Sequence, residues 1–425
     1  MKSISNIAEK ISKEVIVFGL LAILLIMPFH ALISTFIGSL GINKLLVQSW
    51  KEVLVVIMSL CWVVYQLTKK RLAIKADSVN ILFLLIIFLS AIVTLLIRPN
   101  SEAVLFGIKT NLVALAVFFI AQIPIASKSF LKKNLQWIVI LPAIAVSILA
   151  ILQAFLIPPE LLEKIGYSVE TINPRQIIDG SINFYRSFSS LGGPNQLGAY
   201  LLMPLAFSLV YGIKQKNWLA ILSSIPILAG IVLSFSRSAW IGAVITFFLS
   251  IFISIPKKQK IYFLVSSLAL GSIVGVLVLS QIGTNERLQN VLLHGRVFEG
   301  RIEGSDQQRI NSIANTASEI VARPFGHGLG SAGPASFRAD KPVIPENWFL
   351  QIAYEIGIIG LLLYIFAFAA LLGDFIRNRS NPLAASLFSA TVGILVINIF
   401  LQAWADSTLV LCMFALYGIY KSKSS

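Results

Sequence analysis

The sequence predicts an all-α polytopic membrane protein with about twelve transmembrane helices. Of the 425 residues, 57% are hydrophobic and only 12% are charged, whereas soluble domains carry roughly 25% charged residues. Apolar runs of the roughly 20 residues needed to cross a bilayer recur along the whole chain. The short segments between these runs are rich in lysine and arginine. These three observations together predict the fold class.

Each apolar run defines one predicted span, and the whole chain, residues 1–425, is predicted to be a single integral membrane domain. The predicted spans are 15–34, 52–68, 78–97, 103–123, 136–157, 197–213, 218–235, 238–255, 261–282, 347–372, 383–402 and 404–420. The last two are separated only by a tight turn near Ala403. Two long segments, 158–196 and 283–346, remain between spans and are predicted to be loops.

The stretch from Trp218 to Ile255 is apolar throughout but too long for one span. As a single helix it would be roughly 57 Å long, and the hydrocarbon core of a bilayer is only about 30 Å thick. The polar residues 234–238 therefore predict a turn between two spans. Arg237, in that turn, is placed at a membrane surface.

The formal net charge of +15 is concentrated in the short loops. With the N-terminus in the cytoplasm, every short basic loop falls on the cytoplasmic side, as the positive-inside rule requires. We therefore predict a multi-pass protein of the cytoplasmic (inner) membrane with both termini cytoplasmic. No basic stretch is interleaved with aromatic residues outside the apolar runs, so nucleic acid is not an expected partner. The basic residues are Lys69, Lys70, Arg71, Lys75, Lys128, Lys132, Lys133, Lys214, Lys216, Lys257, Lys258, Lys260, Arg377, Arg379, Lys421 and Lys423.

The two long loops fall on the extracytoplasmic side, and both are basic too. Long loops are exempt from the positive-inside rule, so their charge indicates either contact with lipid headgroups or an anionic substrate. In the second loop, apolar residues with helical spacing predict an amphipathic helix. They are Ile310, Ile313, Ala314, Ala317, Ile320 and Val321. Arg309 lies in the first turn, where an arginine and a helix N-terminus favour anion binding; a snorkelling surface arginine is the alternative.

Polar segments also lead into the sixth and tenth spans. Arg186 precedes Gly-Gly-Pro-Asn195-Gln196, a sequence that also fits a turn and a helix start. Glu346 and Asn347 open the tenth span, where simple capping is the alternative role. An acid facing lipid is costly, so Glu355, inside the same span, is predicted to face the bundle interior.

Two other features are assigned no site. The alternate glycines around His327 predict a tight turn, but no strand precedes them, so a dinucleotide-binding loop is excluded. Cys61 and Cys412 lie in apolar runs and indicate neither a metal site nor a disulfide.

Arg186, Arg237 and Arg309 come from three separate segments, and all three are predicted on the outer face. Guanidinium groups bind phosphate oxygens through paired hydrogen bonds, so three of them near a glutamate and a histidine indicate a site that surrounds a diphosphate.

Several motifs occur in a recognisable order. Arg186 and Gly-Pro-Asn195 are followed by Leu233-Ser-Phe-Ser-Arg237-Ser-Ala-Trp240-Ile-Gly242, then by the amphipathic helix, by Pro324-Phe-Gly-His-Gly-Leu-Gly330, and by Glu346-Asn347-Trp-Phe-Leu350-Gln351-Ile-Ala-Tyr-Glu355-Ile-Gly357-Ile-Ile-Gly360. This order resembles the O-antigen ligase and O-antigen polymerase superfamily. The resemblance covers roughly residues 186–365; the earlier helices agree only in being apolar.

The resemblance implies a membrane glycosyltransferase whose donor is an undecaprenyl-diphosphate-linked glycan. It implies transfer to an acceptor glycan or lipid-linked sugar, such as the lipid A core or another repeat unit, on the extracytoplasmic face. Neither a metal nor another cofactor is implied. The expected partners are the donor glycan, the acceptor and the lipid bilayer.

The resemblance also implies roles for the candidate residues. The arginines bind the diphosphate and stabilise its developing charge, while a base takes the proton of the acceptor hydroxyl. Ligases of this family usually carry His-Asn where this chain has Glu346-Asn347, and that His is the proposed base. Either Glu346 takes this role, or His327 does, or the chain is a polymerase-type member with a different arrangement. The expected catalytic base is Glu346, with His327 second. Weaker candidates for binding sugar hydroxyls are Asn195, Gln196 and Asn347.

The main alternative function is a secondary transporter or lipid-linked glycan flippase. Transporters place ionisable residues and broken helices near the bilayer midplane, often in repeated halves. In this chain the notable charges lie in the outer loops, and no repeat between halves is visible. A third alternative is a non-catalytic membrane scaffold. A cavity open at one face favours the transferase, and a central two-sided cavity favours the transporter.

Overall fold

The structure is a computed structural model that describes residues 2–69, 76–123, 129–178, 181–282, 284, 297–298, 301–302, 305–339 and 341–423. Within these ranges, ten helical segments are long and apolar enough to cross a membrane. Two shorter apolar helices, Trp218–Leu233 and Ser407–Ser422, complete the predicted set. The all-α polytopic membrane fold is therefore confirmed.

The described part of the chain forms seventeen α-helices. They are α1 Lys2–Ile26, α2 His30–Ser39, α3 Lys44–Gln48, α4 Trp50–Lys69, α5 Ser78–Ile97, α6 Ser101–Asn111, α7 Val113–Ile120, α8 Ser129–Phe155, α9 Pro159–Glu163, α10 Pro194–Gln215, α11 Trp218–Leu233, α12 Arg237–Ser254, α13 Lys257–Ile282, α14 Ser305–Ala322, α15 Trp348–Arg377, α16 Pro382–Phe400 and α17 Ser407–Lys423. Short 3-10 helices cover Met27–Phe29, Gly333–Arg338 and Ala403–Ala405. Two small antiparallel hairpins pair β1 Ile177–Ile178 with β2 Ser181–Tyr185 and β3 Val297–Phe298 with β4 Arg301–Ile302.

The helix α10 lies at the centre of the bundle. It packs against α8, α11, α12 and α16, and its side chains are buried along nearly its whole length. The helix α13 is the opposite case, because its apolar window is entirely exposed. Exposed apolar side chains of this kind suit a lipid environment, since lipid tails solvate them as well as protein does.

The predicted break at 234–238 is a turn. The helix α11 ends at Leu233 and α12 begins at Arg237. Phe235, between them, adopts a φ of +47°, and the indole nitrogen of Trp240 donates to the Ile231 carbonyl across the turn at 3.1 Å. The argument from helix length is therefore confirmed.

The two ends of the bundle differ in composition. One end, called the basic end here, contains the connections after α10 and α15 and the end of α17. Lys214 donates to the Arg379 carbonyl at 2.7 Å. Lys421 pairs with Asp77 and Asp374. The predicted basic residues Lys70, Arg71, Lys75 and Lys128 lie outside the described residues. The other end, called the site end, joins the connections after α1, α8 and α11. There the hydroxyl of Ser190 donates to the Pro28 carbonyl. The backbone nitrogen of Ser187 donates to the Leu233 carbonyl.

The predicted amphipathic helix is α14, and it packs on α15. Ile320 is buried beside Ala353 and Tyr354. Ile310 and Val321, which also belong to the predicted apolar stripe, are exposed. Only one line of α14 contacts the neighbouring helix, so the flanking members of the stripe face outward.

A kink in α15 is covered by the glycine-rich turn. Ile356 and Gly357 have non-helical backbone angles, which frees helix carbonyls that need new donors in a water-poor environment. The backbone nitrogens of His327 and Gly328 donate to the carbonyls of Tyr354 and Glu355, each at 2.8 Å. Gly326 is required here, since a Cβ atom would lie 2.6 Å from the Glu355 carbonyl oxygen. The glycine-rich turn therefore supplies the hydrogen bonds that the kinked helix lacks.

Candidate functional site

A cavity of about 380 Å³ lies at the site end. It is enclosed by the start of α10, the segment before α15 and the connection from α16 to α17. Its lining residues are Asn195, Gln196, Ala199, Pro334, Glu346, Leu401, Gln402, Ala403, Ala405, Asp406 and Ser407. Three of the residues predicted from sequence, Asn195, Gln196 and Glu346, therefore face one space although they come from two distant segments.

Arg309 and Glu346 form an ion pair at the rim of this cavity. Their side-chain nitrogen and oxygen are 3.5 Å apart, and the side chains are 31% and 38% exposed. The hydroxyl of Ser312 donates to the Ile344 carbonyl, and this bond holds α14 beside the segment that carries Glu346. The Nε atom of Arg309 is buried without a hydrogen-bond partner in the described part of the chain. A long ion pair and a free N–H group leave this arginine able to bind an anion.

Glu346 has a backbone conformation that a capping role does not require. Its φ is +55°, in the left-handed region that non-glycine residues seldom adopt. The helix cap is supplied instead by Asn347, whose side-chain oxygen accepts from the Leu350 nitrogen at 3.0 Å. Strained backbone at a cavity wall is typical of functional sites. The amide nitrogen of Asn347 donates to the Ile399 carbonyl, so both ends of this side chain are used in holding α15.

Arg186 is held by two side-chain hydrogen bonds. Its Nε donates to the Ser234 carbonyl at 3.1 Å, and a terminal nitrogen donates to the side-chain oxygen of Asn195 at 2.8 Å. Asn195 lines the cavity, whereas Arg186 itself lines a second cavity of about 390 Å³. Arg186 therefore contacts the first cavity through Asn195.

Arg237 begins α12, at the turn to which Arg186 is bonded. The structure thus places the start of α12 next to the Arg186 segment, as expected from the motif order. Arg237 is half-buried and makes further contacts within the bundle.

His327 lies away from the Arg309–Glu346 pair. Its ring stacks on Tyr354 with centroids 4.0 Å apart, and its Nδ1 lies 3.1 Å from the Tyr354 carbonyl. Tyr354 in turn donates to Glu319 at 2.8 Å. Burial lowers the pKa of His327, while the bond to the Tyr354 carbonyl acts in the opposite direction. His327 is therefore part of the packing over the kink and does not line the cavity.

Sequence reasoning missed two polar residues of the cavity. Asp406 and Gln402 lie in the connection between α16 and α17, which the hydropathy pattern identified only as a tight turn. One oxygen of Asp406 accepts from the Leu409 nitrogen at 2.9 Å and caps α17. Burial raises the pKa of Asp406, opposed by the Leu409 hydrogen bond and by Lys51. The sequence signal for this part of the cavity was Asp406, an acid between two apolar runs.

Comparison with known proteins supports the resemblance. Residues 218–365 match the family described as O-antigen ligase. The chain is 28% identical over 213 residues to a curated O-antigen polymerase of Salmonella muenchen, an alignment that covers 48% of this chain and 50% of that relative. The chain therefore spans about half the length of the curated relative it matches. The matched family region includes Arg237, Arg309, His327 and Glu346, and it ends before Asp406.

Proposed function

We propose that this chain, whose residues 218–365 match the O-antigen ligase family, transfers a glycan from an undecaprenyl diphosphate carrier to an acceptor hydroxyl. One observation carries the proposal: Glu346, which is paired with Arg309, and Asn195, which is paired with Arg186, line the same cavity at one end of a membrane bundle. Arginines suit the diphosphate and a carboxylate suits proton removal.

The donor sugar is bonded through its C1 atom to the diphosphate. In the proposed reaction the bond between C1 and the diphosphate oxygen breaks while the acceptor oxygen bonds to C1. Arg186, Arg237 and Arg309 stabilise the charge that develops on the leaving diphosphate. Glu346 takes the proton of the acceptor hydroxyl. Attack opposite the leaving group inverts the anomeric centre.

The ion pair places the proposed base beside an anion-binding group. In the structure a side-chain nitrogen of Arg309 lies 3.5 Å from a carboxylate oxygen of Glu346. A diphosphate bound by Arg309 therefore brings the donor sugar close to Glu346. Asn195 and Gln196 face the same space and supply hydrogen-bonding groups for sugar hydroxyls.

We also propose that the site end is extracytoplasmic and the basic end cytoplasmic, with both termini in the cytoplasm. The support is the cluster of Lys214, Arg377, Arg379 and Lys421 at one end of the bundle. Short loops rich in lysine and arginine remain in the cytoplasm. In a Gram-negative cell the membrane would be the inner one.

The direct test is glycan transfer by the purified protein in nanodiscs with an undecaprenyl-diphosphate-linked glycan and its acceptor. Arg186→Ala should lower transfer by roughly 100-fold, because removing donors aimed at developing charge costs about 10²–10³ in rate. The matched control is Arg175→Ala in the same loop, since Arg175 is 53% exposed and pairs only with Glu160 and Glu163 among the described residues. Transfer by Arg186→Ala at the wild-type rate would contradict the diphosphate role.

Deletion of the gene, followed by analysis of surface glycan, decides between the two reaction types. Loss of long chains with single repeats retained indicates a polymerase. Accumulation of free lipid-linked polymer indicates a ligase. Loss of surface glycan with lipid-linked precursor trapped in the cytoplasmic leaflet would instead support the flippase.

A further inference from the structure

The connection between α16 and α17, residues 401–407, forms one wall of the cavity at the site end. The polar residues on this wall are Gln402, Asp406 and Ser407. They have no role in the proposed reaction, and they lie outside the matched family region, residues 218–365. Residues 401–407 are called the connection wall here. The hydrogen bonds that this wall can make indicate its ligand.

The connection wall is held in place by the helices on either side of it. The backbone nitrogen of Trp404 donates to the side-chain oxygen of Asn398 at 3.1 Å, and the Trp404 ring stacks on Phe368 with centroids 5.7 Å apart. One carboxyl oxygen of Asp406 accepts from the Leu409 nitrogen at 2.9 Å. Because the wall is already ordered by these contacts, a ligand loses little affinity to the ordering of the wall.

The connection wall contains both hydrogen-bond donors and hydrogen-bond acceptors. The side-chain Nε2 of Gln402 is buried without a hydrogen-bond partner in the described part of the chain. A buried donor without an acceptor is costly, and an oxygen atom of a bound molecule would satisfy it. The carboxyl group of Asp406 has acceptor capacity beyond its bond to Leu409, whether or not it is ionised. A sugar hydroxyl both donates and accepts, so it matches this wall.

A diphosphate matches the connection wall poorly. Ionised phosphate oxygens accept hydrogen bonds but do not donate them, and an ionised Asp406 would repel them. Guanidinium groups, which only donate, reach the cavity from other segments. Arg309 is paired with Glu346, and Arg186 is bonded to Asn195. The connection wall therefore suits the neutral sugar part of a substrate, and the arginines suit the diphosphate.

A hydrogen bond joins the connection wall to the segment that carries the proposed base. The side-chain nitrogen of Asn347 donates to the Ile399 carbonyl, just before the wall, at 2.9 Å. Glu346, the preceding residue, lines the same cavity. An acceptor hydroxyl must lie within hydrogen-bond reach of the base that takes its proton. A sugar on the connection wall is therefore placed beside Glu346, whereas the α10 side of the cavity is linked to Arg186 through Asn195.

We propose that the connection wall is the acceptor subsite, where Gln402 and Asp406 bind hydroxyl groups of the acceptor sugar. The inference rests on the proposed function, because it assigns the second substrate of that reaction. Both residues bind the acceptor and neither forms a bond to the C1 atom of the donor. The identity of these two side chains then helps to determine which acceptor sugar is used.

The first test compares the KM values of the two substrates in nanodiscs. Gln402→Leu removes the amide at similar volume, and Asp406→Asn keeps one oxygen to cap α17. Each should raise acceptor KM by roughly tenfold, the effect of one lost hydrogen bond, and leave donor KM within about twofold of the wild type. Arg309→Lys is the matched comparison, since it should raise donor KM instead. A rise in donor KM that equals or exceeds the rise in acceptor KM, or an unchanged acceptor KM in both variants, would overturn the subsite.

The second test measures sugar binding without transfer, by calorimetry in nanodiscs. The probes are the repeat-unit oligosaccharide and the core oligosaccharide of the cell's own surface glycan, each freed of lipid and diphosphate. One of them should bind the wild type and the control Glu170→Gln equally, and bind Gln402→Leu and Asp406→Asn roughly tenfold more weakly. Absence of binding by the wild type, or equal binding by the two variants, would overturn the subsite.

The two tests separate failure of the subsite from failure of the proposed function. If the oligosaccharide binds as expected but the wild type transfers no glycan from a lipid-diphosphate donor, the proposed function fails and the sugar subsite stands. If the wild type transfers glycan while both variants bind the oligosaccharide as tightly as the wild type does, the subsite alone is wrong.

Discussion

Two glutamates on one helical segment, Glu346 and Glu355, occupy opposite environments. Glu346, just before α15, has a side chain that is 38% exposed and a single ion pair at 3.5 Å. Glu355, beside the kink, is fully buried. Its two oxygens accept from Asn111 at 2.8 Å and from the Gly330 nitrogen at 3.1 Å. Both acids lie near the N-terminal end of α15, Glu346 just before the helix and Glu355 inside it.

The difference shows how the structure leaves one acid accessible for reaction and uses the other to hold the fold. Glu355 joins α6, the glycine-rich turn and α15, and its hydrogen-bonding capacity is used for that purpose. Glu346 faces a cavity, is weakly paired and has a strained backbone. A carboxylate with unused lone pairs beside a substrate-sized space can accept a proton, whereas a fully bonded one cannot do so without disrupting its partners.

The largest expected effect is on glycan transfer and concerns Glu346. Glu346→Gln removes the proposed base and should lower glycan transfer by about 10²–10⁴-fold, with stability within about 0.5 kcal/mol of the wild type. The measurement is turnover in nanodiscs at saturating donor. The matched control is Glu170→Gln, an exposed glutamate of the first long loop. Wild-type turnover in Glu346→Gln would remove this residue from the mechanism.

The next largest effect is on stability and concerns Glu355. Glu355→Ala leaves the Asn111 amide and the Gly330 nitrogen without an acceptor, at about 1–3 kcal/mol for each buried group. The unfolding midpoint should fall clearly, and Glu355→Gln, which keeps one acceptor oxygen, should lose less. Equal midpoints for Glu355→Ala and the wild type would show that the turn is held by its backbone bonds alone.

A smaller effect concerns the partner of Glu346. Arg309→Lys keeps the charge and loses the planar pair of donors, so donor KM should rise by roughly tenfold, equivalent to about 1.4 kcal/mol. Turnover at saturating donor should change less than in Glu346→Gln. If instead turnover falls and KM does not, Arg309 acts in the chemical step only.

The smallest expected effect concerns His327, whose ring is half-buried over the kink. Since burial lowers the pKa of His327 below its usual 6.5, the folded protein binds fewer protons than the unfolded chain just below that pH. Its contribution to stability is therefore present at higher pH and is lost as the pH falls below about 6.5. His327→Phe keeps an aromatic ring on Tyr354 and should flatten the acid side of a plot of unfolding midpoint against pH. An unchanged slope would show that His327 titrates as it does in the unfolded chain.

Much of the site was predictable from the sequence. Span lengths fix where each span ends, and the motif residues lie at those ends. The break before Arg237 followed from helix length, and the burial of Glu355 followed from the cost of a lipid-facing acid. The grouping of Arg186 with Asn195, and of Arg309 with Glu346, was expected only as a shared face. Which pairs bond was not predictable, because side-chain pairing depends on how the two long loops fold back over the bundle.

The sequence by itself determined that this protein is a bundle of apolar helices with its candidate residues at helix ends. The reason is that hydrophobic run length and loop charge are local properties that a bilayer acts on directly. Only the tertiary structure decided that His327 packs over a kink, that Asp406 faces the cavity, and that Glu346 pairs with Arg309 while Glu355 bonds to Asn111. Those outcomes depend on contacts between segments far apart in the chain, such as Asn111 with Glu355 and Ser312 with Ile344. Hydropathy and spacing carry no information about such contacts.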